Sequence, residues 1–241
     1  MGTAFRVVVV GGTHGNEYTG VWCSKRLQQN TDVETLIGNP AAVAANRRFV
    51  DTDLNRQFRH KDLNNPDLAG TVEGQRAREL NKLLGPKGSN EAADWIIDLH
   101  STTANMGLCL IITEGNPLVA QAAAYVIKHI PDARILVHAA DHDRPNVCSI
   151  AANGLTIEVG PVPQGVVRHD AVEKTLEAVK HVMEFIKNRP TYSSLPTTVP
   201  CFQSAPAASR NELSGRIQWP SDADFPNFPR YMIHKDRQDG K

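Results

Sequence analysis

The residues that could do chemistry begin with His14 and Glu17, which lie three positions apart in the stretch GGTHGNE. At the start of a helix this spacing puts an imidazole and a carboxylate on one face, close enough to bind the same ion. His100 follows a later apolar run and completes a set of two histidines and one glutamate. Catalytic zinc sites use that set and leave one position open to water. We therefore predict that His14, Glu17 and His100 bind one zinc ion.

Other interpretations of the same stretch fit less well. A dinucleotide-binding loop needs G-x-G-x-x-G, whereas the residues from Gly11 read GGTHGN. A P-loop needs a lysine after its second spaced glycine, and Gly20 is followed by Val21. An ordinary strand-to-helix turn, with His14 and Glu17 merely exposed, is the structural alternative to a metal site.

Two further acidic residues, Glu158 and Asp98, could take part in the same site. Glu158 interrupts the apolar run LTIEV, where an unpaired carboxylate would be costly. Burial would also raise its pKa towards the range of a general base, so we predict a catalytic role; an ion pair with an arginine is the alternative. Asp98, two residues before His100, or a backbone carbonyl could orient that imidazole.

The stretch RRFVDTDLNRQF (residues 47–58) has no convincing helix or strand period and concentrates polar and charged side chains. A solvated loop is one interpretation of such a mixture. The sharper one is a substrate cradle, because a guanidinium binds a carboxylate through two parallel hydrogen bonds. We therefore predict that Arg48, Asn55 and Arg56 hold a substrate that carries a carboxylate.

The elements that must position these residues alternate between strands and helices. Predicted strands cover residues 5–10, 33–37, 95–99, 108–112, 134–138 and 155–159, and predicted helices cover 16–29, 41–45, 72–84, 118–128 and a stretch beginning at 170. This order predicts an α/β fold with a mostly parallel central sheet and helices on both faces. Ligands bind at the carboxyl ends of the strands in such sheets, which is where His100 falls. We assign residues 1–190 to the catalytic domain and 191–241 to a short or truncated, irregular C-terminal segment.

Composition and charge exclude several functional classes. Lysine plus arginine equals aspartate plus glutamate at 26 each, so no net field favours nucleic acid or an anionic membrane. The four cysteines have no metal or disulfide spacing and indicate a reducing compartment. No apolar stretch reaches the length of a membrane span or a secretory signal. We expect a cytoplasmic protein without a nucleic-acid partner, and leave open whether it forms a homo-oligomer.

Four motifs in this order resemble the aspartoacylase and aminoacylase-3 family of zinc amidohydrolases, which is related to the zinc carboxypeptidases. They are GGTHGNE, DLNR, DLHSTTANMG and IEVGPVPQGV, and the resemblance covers roughly residues 7–189. It implies a zinc-carboxypeptidase-like fold and deacylation of N-acyl, chiefly N-acetyl, L-amino acids. It implies one zinc ion on His14, Glu17 and His100, with Glu158 shuttling a proton and Arg48 polarising the scissile carbonyl. It also implies that Asn55 and Arg56 bind the substrate's α-carboxylate.

The sequence departs from the family pattern in two places. Members specific for N-acetylaspartate carry an arginine directly before a Ser-Ile pair, and here Cys148 precedes Ser149 and Ile150. Arg144 lies four residues earlier. The family also has a β-rich C-terminal domain that contributes a tyrosine to the substrate site, and residues 191–241 are too few to supply it. The alternatives are therefore a zinc carboxypeptidase, a succinyl-amino-acid deacylase, or a zinc-binding member that is catalytically impaired.

Overall fold

A single seven-stranded sheet organises the residues described by the computed structural model, which are 5–30, 33–188 and 200–203. Its strand order is β2-β1-β3-β6-β4-β5-β7. The strands are β1 (Val7–Gly11), β2 (Glu34–Ile37), β3 (Trp95–Ser101), β4 (Gly107–Thr113), β5 (Arg134–His138), β6 (Asn153–Gly160) and β7 (Phe202–Gln203). The central strand β3 is buried along its whole length, as expected for apolar runs covered on both faces.

The sheet is mostly parallel, which confirms the predicted fold class. Strands β2, β1, β3 and β6 run in one direction, and β4 pairs with β6 in the antiparallel sense. Strands β5 and β7 follow the direction of β4. The reversal has a simple cause: residues 102–106 alone separate β3 from β4, and a parallel return needs a connection of about a dozen residues or more.

Helices cover both faces of the sheet, as predicted. They are α1 (Tyr18–Asn30), α2 (Pro40–Ala44), α3 (His60–Leu63), α4 (Val72–Leu83), α5 (Pro117–His129) and α6 (His169–Asn188), with 3-10 helices at Leu54–Arg56, Pro66–Gly70 and Val147–Ile150. Helices α1, α5 and α6 pack on the face that includes Val9 and Ile97. Helix α4 packs on the opposite face, with Val8, Val10 and Ile96. None of the helices in the described part of the chain has the length and apolar character needed to cross a bilayer.

The differences from the predicted elements lie in short segments. Helix α3 and the 3-10 helices were not predicted, because three to five residues are too few to show a period. Residues 191–241 were predicted to be irregular, yet Phe202–Gln203 pairs with β5 at the edge of the sheet. The predicted domain boundary at residue 190 and residues 204–241 lie outside the described residues.

Candidate metal centre and active site

Two strand ends bring the predicted metal ligands together. Gly11, the last residue of β1, pairs with Leu99 of β3, so the turn that carries His14 and Glu17 lies beside His100. Gly15 lets this turn approach helix α2 closely, since a Cβ atom there would lie 2.0 Å from the carbonyl carbon of Ala42. The three side chains therefore meet at the carboxyl edge of the parallel strands, where the sequence placed them.

Glu17 lies between the two imidazoles. Its Oε1 atom is 2.8 Å from Nδ1 of His14, and its Oε2 atom is 2.8 Å from Nδ1 of His100. The ring centroids of the histidines are 4.7 Å apart. One nitrogen of each histidine and one oxygen of Glu17 lie within 4.8 Å of one another. The three residues are buried. The arrangement is a compact group of two nitrogen donors and one oxygen donor.

The second nitrogen of each imidazole contacts another carboxylate. Nε2 of His14 lies 3.1 Å from Oδ1 of Asp53, and Nε2 of His100 lies 2.6 Å from Oδ2 of Asp98. A metal-binding histidine typically donates its other ring N–H to such a partner, which fixes the tautomer and the ring orientation. The predicted role of Asp98 in orienting His100 agrees with this geometry, whereas the contact of Asp53 was not predicted.

The electrostatics follow from these contacts. Burial opposes protonation of both imidazoles, but Glu17 and Asp53 raise the pKa of His14, and Asp98 and Glu17 raise the pKa of His100 well above its usual range. Burial also opposes ionisation of Glu17, yet the two imidazoles hold the pKa of this carboxyl well below its usual range. A cation bound here would therefore displace protons from the imidazoles and meet a carboxylate that is already ionised.

This donor set fits a zinc ion. Two imidazole nitrogens and one carboxylate oxygen are a ligand set of catalytic zinc sites, and both Nδ1 atoms face the carboxylate that would share the ion. The Nε2 atom of each ring, the outer nitrogen, contacts Asp53 or Asp98. The Nδ1 atom, the inner nitrogen that faces Glu17, is therefore the one left to bind a metal ion. The described residues thus include a possible metal-binding triad, and the neighbouring carboxylates of Asp53 and Asp98 hold its histidines in an orientation suited to metal binding.

The side-chain amide of Asn55 is hydrogen-bonded to Asp98 and to the backbone of residue 147, next to His100. Its Nδ2 atom donates to Oδ2 of Asp98 at 3.3 Å and lies 3.3 Å from Nε2 of His100. Its Oδ1 atom accepts a hydrogen bond from the backbone N–H of Val147 at 3.0 Å. The hydroxyl of Thr13 donates to the other oxygen of Asp98 at 2.7 Å. Asn55 therefore supports the candidate ligand His100 and its partner Asp98, and its predicted contact with the substrate stays a prediction.

The two arginines predicted to bind substrate lie on either side of Asp53. Arg48 donates to Oε1 of Glu17 at 3.3 Å and to Oδ2 of Asp53 at 3.1 Å, and 37% of its side chain is exposed. Arg56 is exposed and donates to the backbone carbonyl of Asn55. Arg48 is therefore at the metal ligands and accessible from solvent, while Arg56 lies at the surface of the same loop.

Glu158 lies beside His100 in the sheet. The two residues are register partners on β6 and β3, and partners on adjacent strands present their side chains to the same face. Glu158 is half-buried, and its partner on β4 is Cys109. Burial, together with the charge of Glu158, raises the pKa of the Cys109 thiol to about 12. The carboxylate is thus on the face that carries the metal ligands, which its predicted catalytic role requires.

Cys148 and Arg144 each have a hydrogen-bond partner outside the candidate metal-binding group. The Cys148 side chain is buried, and its Sγ atom donates to the backbone carbonyl of Leu155 at 3.2 Å. The guanidinium of Arg144 donates to Oγ1 of Thr113, at the end of β4 that is remote from His100. The hydrogen bond of Arg144 thus directs its guanidinium to Thr113, and Cys148 carries no cationic group.

Sequence reasoning missed two acidic residues of this region. Asp53 was treated as part of a general charge cluster, although its side chain accepts from the N–H of Asn55 at the start of a short helix and also contacts His14. Glu73 was treated as an ordinary residue of helix α4, yet it is fully buried and accepts four hydrogen bonds. The sequence signal that could have found Asp53 is its position two residues before Asn55, as in an Asx turn.

Comparison with known proteins places the chain among deacylating enzymes. The profile of the succinylglutamate desuccinylase/aspartoacylase catalytic domain matches residues 4–186. A probable aspartoacylase of Acaryochloris marina (strain MBIC 11017) is 38% identical over 228 residues, which cover 88% of this chain and 76% of that protein. The N-acyl-aromatic-L-amino acid amidohydrolase (carboxylate-forming) of Homo sapiens is 40% identical over 198 residues, which cover 76% of this chain and 61% of that protein.

Solved structures agree with the sequence comparison. The crystal structure of murine aminoacylase 3 matches with a TM-score of 0.71 and 38% identity, covering 78% of this chain and 66% of that one. The succinylglutamate desuccinylase of Chromobacterium violaceum matches in fold, with a TM-score of 0.62 at 16% identity. The chain therefore spans about 61% to 76% of the length of the named relatives above 30% identity. On the family profile and these identities, the chain belongs to the succinylglutamate desuccinylase/aspartoacylase family.

Proposed function

We propose that this chain is a zinc-dependent hydrolase that deacylates N-acyl L-amino acids to a carboxylate and a free amino acid. The observation that carries the proposal is the buried His14, Glu17 and His100 group, with Glu158 in register beside His100. Its relatives carry the names aspartoacylase and N-acyl-aromatic-L-amino acid amidohydrolase, which supports the reaction class. Bound zinc would polarise the amide carbonyl and make water more acidic at neutral pH.

Four side chains of this protein would carry out proton transfer, charge stabilisation and substrate binding. Glu158 would accept a proton from the attacking water and return it to the leaving nitrogen, because it lies beside the metal ligands and is half-buried. Arg48 would donate to the oxygen on which negative charge develops. Arg56 would bind the α-carboxylate of the substrate. Asn55 could join it only by exchanging its 3.3 Å contact with Asp98 for one with the substrate.

The surroundings favour a substrate with an uncharged side chain. Cys148 stands where N-acetylaspartate-specific members of the family are expected to carry an arginine, and the guanidinium of Arg144 is bound to Thr113, so neither residue offers the cation that an acidic substrate side chain would use. Phe49, directly after Arg48, is 36% exposed and offers apolar surface at the same loop. The name of the human relative, which specifies aromatic amino acids, agrees with this preference.

Metal analysis combined with a substrate panel tests the proposal. The panel should contain N-acetyl derivatives of aromatic, aliphatic and acidic amino acids, an N-succinyl amino acid and dipeptides. We expect one zinc per chain and the fastest cleavage for the N-acetyl derivatives of uncharged amino acids. Cleavage confined to dipeptides or to the N-succinyl compound would indicate a carboxypeptidase or a desuccinylase. Full zinc occupancy without turnover of any compound would show a catalytically silent metal-binding protein.

The proton-transfer role of Glu158 has its own test. Glu158→Gln keeps the size of the side chain but removes the base, so turnover should fall by about 100-fold or more. Zinc content should stay at one per chain, because the ligands are unchanged. Glu114→Gln, an exposed position at the opposite end of β4, is the matched control. A Glu158→Gln enzyme that retains near-normal turnover would exclude this role.

A further inference from the structure

A buried carboxylate on helix α4 holds the loop that carries Arg48 and Asp53. Glu73 is fully buried, and its Oε1 atom accepts from the backbone N–H of Val50 at 2.7 Å. Its Oε2 atom accepts from the N–H groups of Asp51 at 2.9 Å and Thr52 at 3.0 Å. Three consecutive amides of the loop therefore converge on one side chain.

The same carboxylate reaches a third segment. Nδ2 of Asn39 donates to Oε1 of Glu73 at 2.9 Å, and the backbone N–H of Asn39 donates to the carbonyl of Gly12 at 2.9 Å. Gly12 belongs to the turn that presents His14. The loop in turn contacts helix α4 through a side chain of its own, since Oδ2 of Asp51 accepts from the backbone N–H of Val72 at 2.8 Å. Glu73 thus joins helix α4 to both loops that build the candidate site.

A charge is needed at this position. A buried carboxylate is costly unless its oxygens are hydrogen-bonded, and four donors satisfy Glu73. It lies in the first turn of α4, whose N-terminus is capped by Thr71 and favours negative charge. Burial opposes its ionisation, but the four donors lower its pKa below the usual range. An ionised glutamate can accept all four hydrogen bonds, whereas a glutamine can accept on one atom only.

The loop in turn determines the arrangement of the candidate site. Arg48 and Asp53 flank residues 50–52, and Asp53 contacts Nε2 of His14. The carbonyl of Arg48 accepts from the N–H of Gly15 in the ligand turn at 3.1 Å. A displacement of residues 50–52 would therefore move both the arginine beside Glu17 and the carboxylate that orients His14.

We propose that Glu73 is a positioning residue for the metal centre, which acts by fixing residues 50–52 so that Asp53 orients His14 and Arg48 faces Glu17. Its effect on turnover rests on the proposed hydrolysis and its effect on metal affinity rests on the proposed zinc site, whereas its effect on loop order rests on neither. Glu73 itself contacts neither the metal ligands nor the predicted substrate-binding arginines in the hydrogen bonds described above.

Glu73→Gln is the sharpest variant, because it keeps the shape of the side chain. Whichever way the amide turns, its NH₂ group replaces an oxygen and faces two N–H or NH₂ donors, so two of the four hydrogen bonds are lost. Glu79→Gln is the matched control on the same helix, at a position where 65% of the side chain is exposed. Glu73→Asp keeps the charge on a shorter side chain, and it tests the proposal if Glu73→Gln does not fold.

Three measurements on the purified, zinc-loaded protein follow from the proposal. Amide hydrogen exchange at residues 50–52 should accelerate by about 10- to 100-fold in Glu73→Gln, the effect of losing charge-assisted hydrogen bonds, while exchange in β3 stays unchanged. Zinc affinity, measured by competition with a chromophoric chelator, should weaken by about 10-fold because Asp53 no longer orients His14. Turnover of an N-acetyl amino acid should fall by about 10-fold or more because Arg48 is displaced.

The outcomes separate this proposal from the proposed function. Faster exchange at residues 50–52 with weaker zinc binding would support the positioning role, even if the wild-type protein hydrolyses no N-acyl amino acid. Zinc affinity and exchange at residues 50–52 equal to those of Glu79→Gln would overturn it. A uniform acceleration of exchange that includes β3, without a change in zinc affinity, would also overturn it, because Glu73 would then contribute to global stability alone.

Discussion

Each candidate ligand histidine is contacted by carboxylates at both ring nitrogens. Glu17 faces the inner nitrogen of both rings, while Asp53 and Asp98 face the outer nitrogens of His14 and His100. Such contacts fix the ring orientations before any cation binds, so little rearrangement is needed on binding. The candidate metal site therefore depends on Asp53 and Asp98 to hold the two imidazoles in place, as well as on the candidate ligands themselves.

Replacing the outer carboxylate of His100 tests this statement. In Asp98→Asn the side chain keeps its size but loses the charge that faces Nε2 of His100 at 2.6 Å. We expect zinc affinity to fall by about 10- to 100-fold, as is typical for such outer partners. Asp132→Asn, an exposed position paired with Lys174, is the control. Zinc binding of Asp98→Asn as tight as that of the control would contradict the assigned role.

Single residues of the candidate site differ in how far the sequence could predict them. His14, Glu17 and His100 were predictable because their types and spacing match a known ligand set, and the structure brings them together. The hydrogen bonds of Asn55 to Asp98 and Val147 were not, because they join segments 43 and 92 residues apart. Contacts of this kind depend on the packed fold, and no local pattern encodes them.

At the scale of elements, the ligand turn and helix α2 approach each other too closely for a side chain. A Cβ atom at Gly15 would lie 2.0 Å from the carbonyl carbon of Ala42, which is backbone and cannot rotate away. We expect Gly15→Ala to lower the free energy of unfolding by at least about 2 kcal/mol, in the range of overpacking, and to weaken zinc binding. Gly70→Ala, where a Cβ would meet nothing within 4 Å, is the control for chemical denaturation. Equal stability of the two variants would show that the turn is free to shift.

The attachment of residues 50–52 to helix α4 should depend on pH. The pKa of Glu73 is lower in the folded protein than its ordinary value of 4.5, so its ionised form stabilises the fold above that pH. This contribution is lost as pH falls through the folded-state pKa. Compared with Glu73→Gln, wild type should be more stable by about 2 kcal/mol at pH 7, and the difference should shrink below about pH 4.5. Urea unfolding across that range measures the difference, and a pH-independent difference between wild type and Glu73→Gln would contradict the argument.

The sequence predicted the long elements well and the sheet topology only in part. The predicted strand at 134–138 coincides with β5, because its apolar residues and flanking turns are unambiguous. The antiparallel placement of β4 was not predicted, although the short 102–106 connection demands it once β3 and β4 are known. Strand β7 has two residues and pairs with β5 far away in sequence, so no periodicity could reveal it.

At the scale of the whole molecule, the cysteines follow the division between core and surface. Cys23, Cys109 and Cys148 are buried, and burial raises the pKa of each thiol to about 12. Cys201 is exposed. Because the thiolate is the reactive form, one thiol of the native protein should react rapidly with a disulfide reagent at pH 8, and the other three only on unfolding. Cys201→Ser should remove the rapid phase, and two or more rapid thiols in wild type would contradict the described packing.

The family of the chain was accessible from the sequence because four motifs fall at the ends of predicted strands or in the loop between them. The family profile and the relatives confirm that assignment. The division into residues 1–190 and 191–241, and the cytoplasmic location, stay predictions. The side-chain contacts of Cys148 and Arg144 were not accessible from the sequence, because they join residues that only the packed fold brings together.

The hydrogen bond between Val147 and Asn55 ties the segment 147–150 to the outer partner of His100. That segment includes Cys148, which is buried. A replacement at Cys148 that moves the backbone of Val147 would therefore also disturb the support of His100 by Asn55 and Asp98. Only replacements at Cys148 that keep the backbone course at Val147 would leave this hydrogen-bonded chain to His100 intact.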